Sequence, residues 1–235
     1  NAAGIGSIAP SFTNPVNDFS LHSYLTLNIL ENIRCYNPTC KYINISSAAV
    51  YGEPLYLPID ENHPVNPISP YGFNKYISEL ITTEYHNIFK IQTINIRIFS
   101  TYGPGLKKQL FWDLYQKYIS NETIILHGSG DETRDYIYID DLINFVQFTI
   151  DKIPFNNETF NLGSGRKITI KEIAELFVSL LPAKKEIRFS GIKMNGSSNL
   201  CEANINKIHK LGFIPLVSIE DGISKYIKWL KTINS

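Results

Sequence analysis

Apolar and polar positions along the chain switch between a helical and a strand-like period. From Asp18 to Arg34 the apolar residues Leu21, Tyr24, Leu25, Ile29 and Ile33 fall at helical spacing, and the next run, KYINIS from Lys41 to Ser46, is short and rich in β-formers. After the proline-rich loop PLYLPIDENHPVNPISP, Ser69 stands at a helix N-cap and Pro70 at the first helical position, with Ile77, Leu80, Ile81, Tyr85 and Ile88 predicting one apolar face. The run IQTINIRIF then returns to strand character. Helix and strand in alternation predict a parallel, doubly wound sheet, in which ligands sit beyond the carboxyl ends of the strands.

Beyond Gly103 the pattern is mixed. Helices are predicted over Leu110–Ile119, Asp140–Asp151, Ile170–Leu181 and Ser218–Leu230, with short strands between them. Thr169 and Glu172 have the spacing of a capping box, and Asp140 and Asp141 read as caps of the helix that follows them. The stretches TIILHGSGDETRD and IRFSGIKMNGSSN read as loop-rich and carry most of the polar groups. The fold class expected is therefore α/β: a partial Rossmann-type doubly wound sheet with a smaller mixed α/β substrate part. Residues 1–102 plus about 134–163 would form the first part, and about 103–133 plus 164–235 the second, with Gly103, Pro104 and Gly105 turning the chain between them.

Composition narrows the function classes. With 43% hydrophobic residues in 235, the chain can build a substantial core. Twenty-two Lys and Arg balance twenty-two Asp and Glu, so no overall field draws nucleic acid or an anionic membrane, and neither partner is expected. Cys35, Cys40 and Cys201 are odd in number and lack zinc-type spacing, which suits reduced thiols in the cytoplasm. The five histidines show no clustering with acidic or cysteine partners, so no metal site is expected. Neither a membrane-spanning run nor a signal-like start is present in the residues given.

Candidate chemistry centres on SPYGFNK. Tyr71 and Lys75 are four apart on one helix face, in the first turn after a loop, where the preceding strand end, with Ser47, can also reach. A nearby ammonium favours a phenolate, and a tyrosine tuned from near 10 to about 7 exchanges a proton with a substrate hydroxyl at neutral pH. A serine hydroxyl beside it holds the same oxygen in line.

The ordered set SSAAVYG, SPYGFNK, RIFSTYGPG, GSGDETRDYIYIDDL and FNLGSG resembles the extended short-chain dehydrogenase/reductase family, in its nucleotide-sugar epimerase and dehydratase branch. The resemblance implies a catalytic triad of Ser47, Tyr71 and Lys75, with Lys75 also holding the nicotinamide ribose and Tyr71 acting at a sugar hydroxyl, usually at C4. It implies NAD as cofactor, with NADP as the alternative, against Ala2, Ala3, Tyr71, Lys75 and Phe99. A nucleotide-diphosphate sugar would lie against Ser47, Ala48, Ser100, Arg134 and Lys193, and a homodimer is the expected assembly. Arg134 aligns with the arginine that clamps the diphosphate, a task that suits a planar fork of donors; its plainer alternative is a surface salt bridge with Asp135 or Asp131.

Departures from the family pattern narrow the activity. Dehydratases of this branch carry an Asp-Glu pair directly after the catalytic Ser or Thr, and here those positions are Ala48 and Ala49. Water elimination then lacks its acid and base, which leaves a 4-epimerase, with a 4-ketoreductase as the alternative. Ser100 replaces the family's asparagine in its RxFN motif, Met194 occupies the usual arginine position near the C-terminus, and His22 stands where an asparagine is typical. The family's opening GxxGxxG segment is not among these residues; roughly the first 70 residues of the usual layout would lie upstream. A cofactor-free binding module is the reading from another class.

Overall fold

The computed structural model describes residues 1–192 and 195–233. Two short helices, α1 (Ala9–Thr13) and α2 (Pro15–Phe19), lead through a π turn (Ser20–Tyr24) into α3 (Leu25–Tyr36). They are followed by β1 (Lys41–Ser47), a 3-10 turn (Ala48–Val50), α4 (Pro70–Phe89), β2 (Gln92–Ile98) and β3 (Ser100–Tyr102). Then come α5 (Gln109–Ser120), β4 (Thr123–Leu126), β5 (Thr133–Tyr138), α6 (Ile139–Lys152) and β6 (Asn156–Leu162). The chain continues with β7 (Lys167–Thr169), α7 (Ile170–Ser179), β8 (Glu186–Phe189), α8 (Asn206–Lys210) and α9 (Ile219–Ile233). Among these residues no helix is long and apolar enough to cross a membrane.

The main sheet is parallel in the order β1-β2-β6, with Asn44 opposite Asn95 and Ser47 opposite Ile98. β2 is central, and its residues Thr93 to Arg97 are all buried. Its polar residues are satisfied in pairs: the Asn44 amide donates to Asn95 Oδ1 at 2.9 Å. A second sheet, β3-β5-β7, pairs β3 with β5 in parallel and β5 with β7 antiparallel, and β4 pairs with β8 in parallel. Both stretches expected to be loop-rich thus contain strands, because each short apolar run between turns finds an edge to pair with.

One core gathers Ile94 and Ile96 of β2, Phe145 of α6, Phe160 and Leu162 of β6, and Ala203, Ile205, Ile208 and Phe213 from the later chain. A second forms between Phe111 and Leu114 of α5, Phe177 of α7 and Tyr226 and Leu230 of α9. The helix boundaries follow the sequence pattern, and the capping box at Thr169 and Glu172 is present. The Asp140–Asp141 expectation is corrected: no side chain caps α6, and Asp141 instead accepts from Leu216 N at 3.0 Å and Val217 N at 2.9 Å, tying a distant loop to the helix.

The apolar face predicted for α4 is corrected in part. Tyr85 is buried in a small core with Leu30, Tyr42 and Ile91, and Ile81 packs against it, but Leu80 and Ile88 are exposed, while Tyr71, Asn74, Lys75, Ser78, Glu79 and Thr82 are buried. This helix turns its polar face inward because that face carries a buried hydrogen-bond network, described below.

Candidate active site

Ser47 ends β1 and caps the 3-10 turn, its Oγ accepting from Ala49 N at 3.2 Å. α4 begins close to that turn. Ser69 Oγ accepts from Gly72 N at 3.1 Å, and a Cβ on Gly72 would lie 2.5 Å from the Ala49 carbonyl oxygen. Glycine after Tyr71 is therefore what lets the first turn of α4 press onto the Ser47 turn. Tyr71 is buried there, with the Ser47 side chain within hydrogen-bonding reach. Lys75, one turn on, sends its Nζ to the Ile45 carbonyl at 2.8 Å and lies 5.8 Å from the Tyr71 ring centroid. The structure thus brings Ser47, Tyr71 and Lys75 together at the carboxyl end of β1.

Their electrostatics differ from the sequence expectation. Burial pushes the Tyr71 phenol up to about 12, with the Ser47 contact pulling the other way and the Asp18 charge adding to the rise. Burial also lowers Lys75 to about 8, and the Asp18 and Glu79 carboxylates oppose that fall. An ammonium bonded to a backbone carbonyl and removed from water does not by itself acidify the phenol, so the predicted drop toward neutrality is not seen.

Behind the triad lies a buried network. Arg97 of β2 grips Glu79 through Nε at 2.9 Å and Nη2 at 2.7 Å, and its Nη1 donates to the Tyr51 hydroxyl at 2.9 Å. Ser46 Oγ donates to the same Glu79 carboxylate, and Tyr51 donates to Asn161 Oδ1 at 2.7 Å. Sequence reasoning missed this set, although Glu79 follows Lys75 by four residues and so shares its helix face. Asp18, which accepts from the Asn74 amide at 2.7 Å, was missed as well.

The remaining expected site residues divide. Ala3 lines a small polar pocket with Lys75, Thr26, Asn44 and Ser78, whereas Ala2 is simply exposed. Phe99 is buried in the first core, its N–H donating to Leu162 O at 2.9 Å; Ala48 packs against that core, and Ser100 opens β3. Arg134 on β5 forms no salt bridge with Asp131 or Asp135. Its Nη1 donates to Thr133 O at 2.6 Å and Ser198 O at 3.0 Å, and Nη2 to Ser197 Oγ at 2.7 Å. Gly196 of the same loop backs onto the Phe12 ring and Ser69, so this loop links the arginine to the N-cap of α4. Glu53, a residue with no sequence signal, anchors the loop by accepting from Asn199 N at 2.9 Å and from its amide at 2.8 Å. Lys193 and Met194 lie outside the described residues.

The model of the family described as GDP-mannose 4,6 dehydratase matches residues 1–225. The chain belongs to this family, within the extended short-chain dehydrogenases/reductases. A Methanocaldococcus jannaschii relative, named as a candidate UDP-glucose 4-epimerase, is 31% identical over 97% of this chain and 75% of its own length. Two solved members superpose closely. The UDP-glucuronic acid 4-epimerase from Bacillus cereus, in complex with UDP-glucuronic acid and NAD, gives a TM-score of 0.92 at 26% identity, covering 99% of this chain and 74% of that one. The UDP-glucose 4-epimerase from Thermotoga maritima, with UDP-glucose, gives 0.91 at 25% identity, covering 99% and 76%. The short-chain dehydrogenase/reductase likeness thus spans almost the whole of this chain, site included.

Proposed function

We propose that this chain carries the catalytic part of an NAD-dependent nucleotide-sugar 4-epimerase acting on UDP-hexoses. The observation that carries the reading is the convergence of buried Tyr71 with Ser47 and Lys75 beside a turn whose next two residues are Ala48 and Ala49. The epimerases to which the chain is similar support it.

The residues present fit the nicotinamide-ribose end of a dinucleotide. Lys75 and Ala3 line one small polar pocket with His22, Asn44 and Ile45 along β1, and Tyr71 stands one turn before Lys75 on α4. No GxxGxxG run for the pyrophosphate occurs within residues 1–235. When bound, NAD supplies the acceptor and donor of hydride. Tyr71 acts in its phenolate form: the phenolate takes the proton of the sugar 4-hydroxyl, becoming the phenol, and the phenol later returns that proton to the same oxygen, which Ser47 holds by a hydrogen bond. Lys75 holds ribose hydroxyls and contributes positive charge beside the phenol. Arg134 clamps the diphosphate. No carboxylate stands at positions 48 and 49 to remove the C5 proton, so the sugar keeps its water.

Tyr71→Phe in the full-length protein tests this directly. Turnover is expected to fall by about 10²–10⁴-fold, the usual worth of acid–base catalysis, with UDP-sugar affinity by calorimetry within about twofold. A variant keeping more than about a tenth of the parental rate refutes the assignment.

We read the assembly as a homodimer. Phe73, Leu80 and Ile88 form an exposed apolar stripe along α4, opposite the polar face it buries, and a second copy can cover that stripe isologously. Sedimentation of the full-length protein with Leu80→Glu reads the assembly state. The two parts expected from sequence are retained as the nucleotide and substrate parts, residues 203–213 adding to the core of the first. Cys35, Cys40 and Cys201 are free thiols, in keeping with a cytoplasmic protein.

A further inference from the structure

His22 and Asp18 stand behind the triad with no role in the chemistry described so far. The π turn Ser20–Tyr24 carries His22 inward, where it is 3% exposed, and its imidazole meets the Tyr71 ring edge-to-face at a centroid distance of 5.3 Å. Neither ring nitrogen has a hydrogen-bond partner; the Ile5 backbone approaches without meeting hydrogen-bond geometry. Nε2 lies 3.6 Å from Asp18 Oδ1, and Asp18 is itself buried, with its other oxygen taken by the Asn74 amide. On the opposite side the chain leaves room for the ring. A Cβ on Gly4, whose φ is +117°, would come within 2.5 Å of His22 Cε1. A buried polar ring that makes no hydrogen bond is costly to a fold, and this one is wedged between a carboxylate and the candidate acid–base residue.

Resting on the acid–base reading of Tyr71 above, we propose that Asp18 and His22 are positioning residues for Tyr71 and Lys75. Asp18 is the counter-charge that keeps the Lys75 ammonium in a desolvated site, and His22 is the uncharged spacer that seats the Tyr71 ring and separates it from that carboxylate. The charged and titratable groups that bear on the pair are Tyr71, Lys75 and Glu79 of α4. Burial, and then the Lys75 charge, drive the imidazole down to about 4 against the pull of Asp18, so it is neutral through the working range. The Asp18 charge acts on both groups, opposing the fall that burial imposes on Lys75 and opposing ionisation of Tyr71.

The test uses the full-length protein with NAD and a UDP-hexose. Asp18→Asn keeps an acceptor for the Asn74 amide and removes only the charge. Its kcat is expected to fall away at lower pH on the alkaline side, giving about a tenfold loss relative to the parent at pH ~8.5 and under threefold at pH ~7. In the cofactor-free protein, Tyr71 ionisation followed by NMR of ζ-carbon-labelled tyrosine, and assigned by its absence in Tyr71→Phe, should move to lower pH in the same variant. His22→Ala should lower kcat about tenfold at unchanged KM, and His22→Phe, which refills the seat without nitrogen atoms, should restore it to within about threefold. A pH profile and tyrosine titration of Asp18→Asn that overlay the parent's, or full turnover in His22→Ala, overturn the proposal. Should Asp18→Asn fail to fold, the His22 pair decides alone. Full turnover in Tyr71→Phe would instead sink the acid–base reading itself, which separates the two failures.

Discussion

Glu79→Gln is expected to cost far more stability than its change of one atom suggests. Glu79 and Arg97 are buried, with side chains 6% and 7% exposed, and the carboxylate accepts Arg97 Nε at 2.9 Å, Arg97 Nη2 at 2.7 Å and the Ser46 hydroxyl. A glutamine keeps the shape but turns one acceptor into a donor facing a guanidinium and leaves that cation without its counter-ion. Removing one partner of a buried pair typically costs about 3–5 kcal/mol, a third or more of the roughly 5–15 kcal/mol by which a domain is stable. Ser46 precedes Ser47 on β1 and Glu79 follows Lys75 by one turn of α4, so the network also fixes the spacing of the triad. Urea unfolding followed by circular dichroism gives the loss directly, provided the slope is unchanged. A double substitution, Glu79→Leu with Arg97→Met, should be within about 2 kcal/mol of the parent, because apolar residues remove the desolvation cost of both charges. A loss below about 1 kcal/mol for Glu79→Gln would refute the account of this network.

Arg134→Ala should weaken UDP-hexose binding by about 2 kcal/mol, roughly 30-fold in Kd by calorimetry, and should loosen the Ser197–Ser198 contacts; an unchanged Kd means that another group holds the diphosphate. His22 also predicts a pH dependence of stability. In the unfolded chain it binds a proton as pH falls below about 6.5, but in the folded protein not until about 4, so the unfolded state gains across that window and the parent loses stability on acidification. His22→Phe should remove that part of the loss, read as a smaller drop in Tm between pH ~6.5 and ~4.5, and equal drops in both proteins contradict the buried neutral assignment.

Much of this molecule was legible in its sequence because local rules and tertiary structure agree there. Ser69, Pro70 and the capping box at Thr169 and Glu172 act within one turn, so the ends they predict are the ends that form. The convergence of Ser47, Tyr71 and Lys75 was legible for a related reason: Tyr71 and Lys75 are fixed by helix period, and Ser47 by its position at a strand end. α4 shows where that reasoning stops. Leu80 and Ile88 have apolar side chains at helical spacing, yet the sheet takes the other face because Glu79 and Arg97 complete each other across it. No local pattern announces a partner on a strand eighteen residues away. Asp141 was misassigned for the same reason, since its partners at Leu216 and Val217 lie far along the chain. The phenol of Tyr71 was expected to be acidified by a cation four residues on, and burial, which sequence spacing does not report, outweighs it.

The central claim is that Tyr71 serves a reversible oxidation at C4 with no chemistry at C5. Incubating the full-length protein and NAD with a UDP-hexose in D₂O, and following nicotinamide absorbance together with product mass, tests it most directly. The account predicts inversion at C4 with no net change in cofactor and no deuterium in the carbon skeleton. Deuterium at C5 with loss of water would contradict it, returning the chain to the dehydratases despite Ala48 and Ala49, and steady consumption of reduced cofactor on 4-keto sugars alone would make it a reductase.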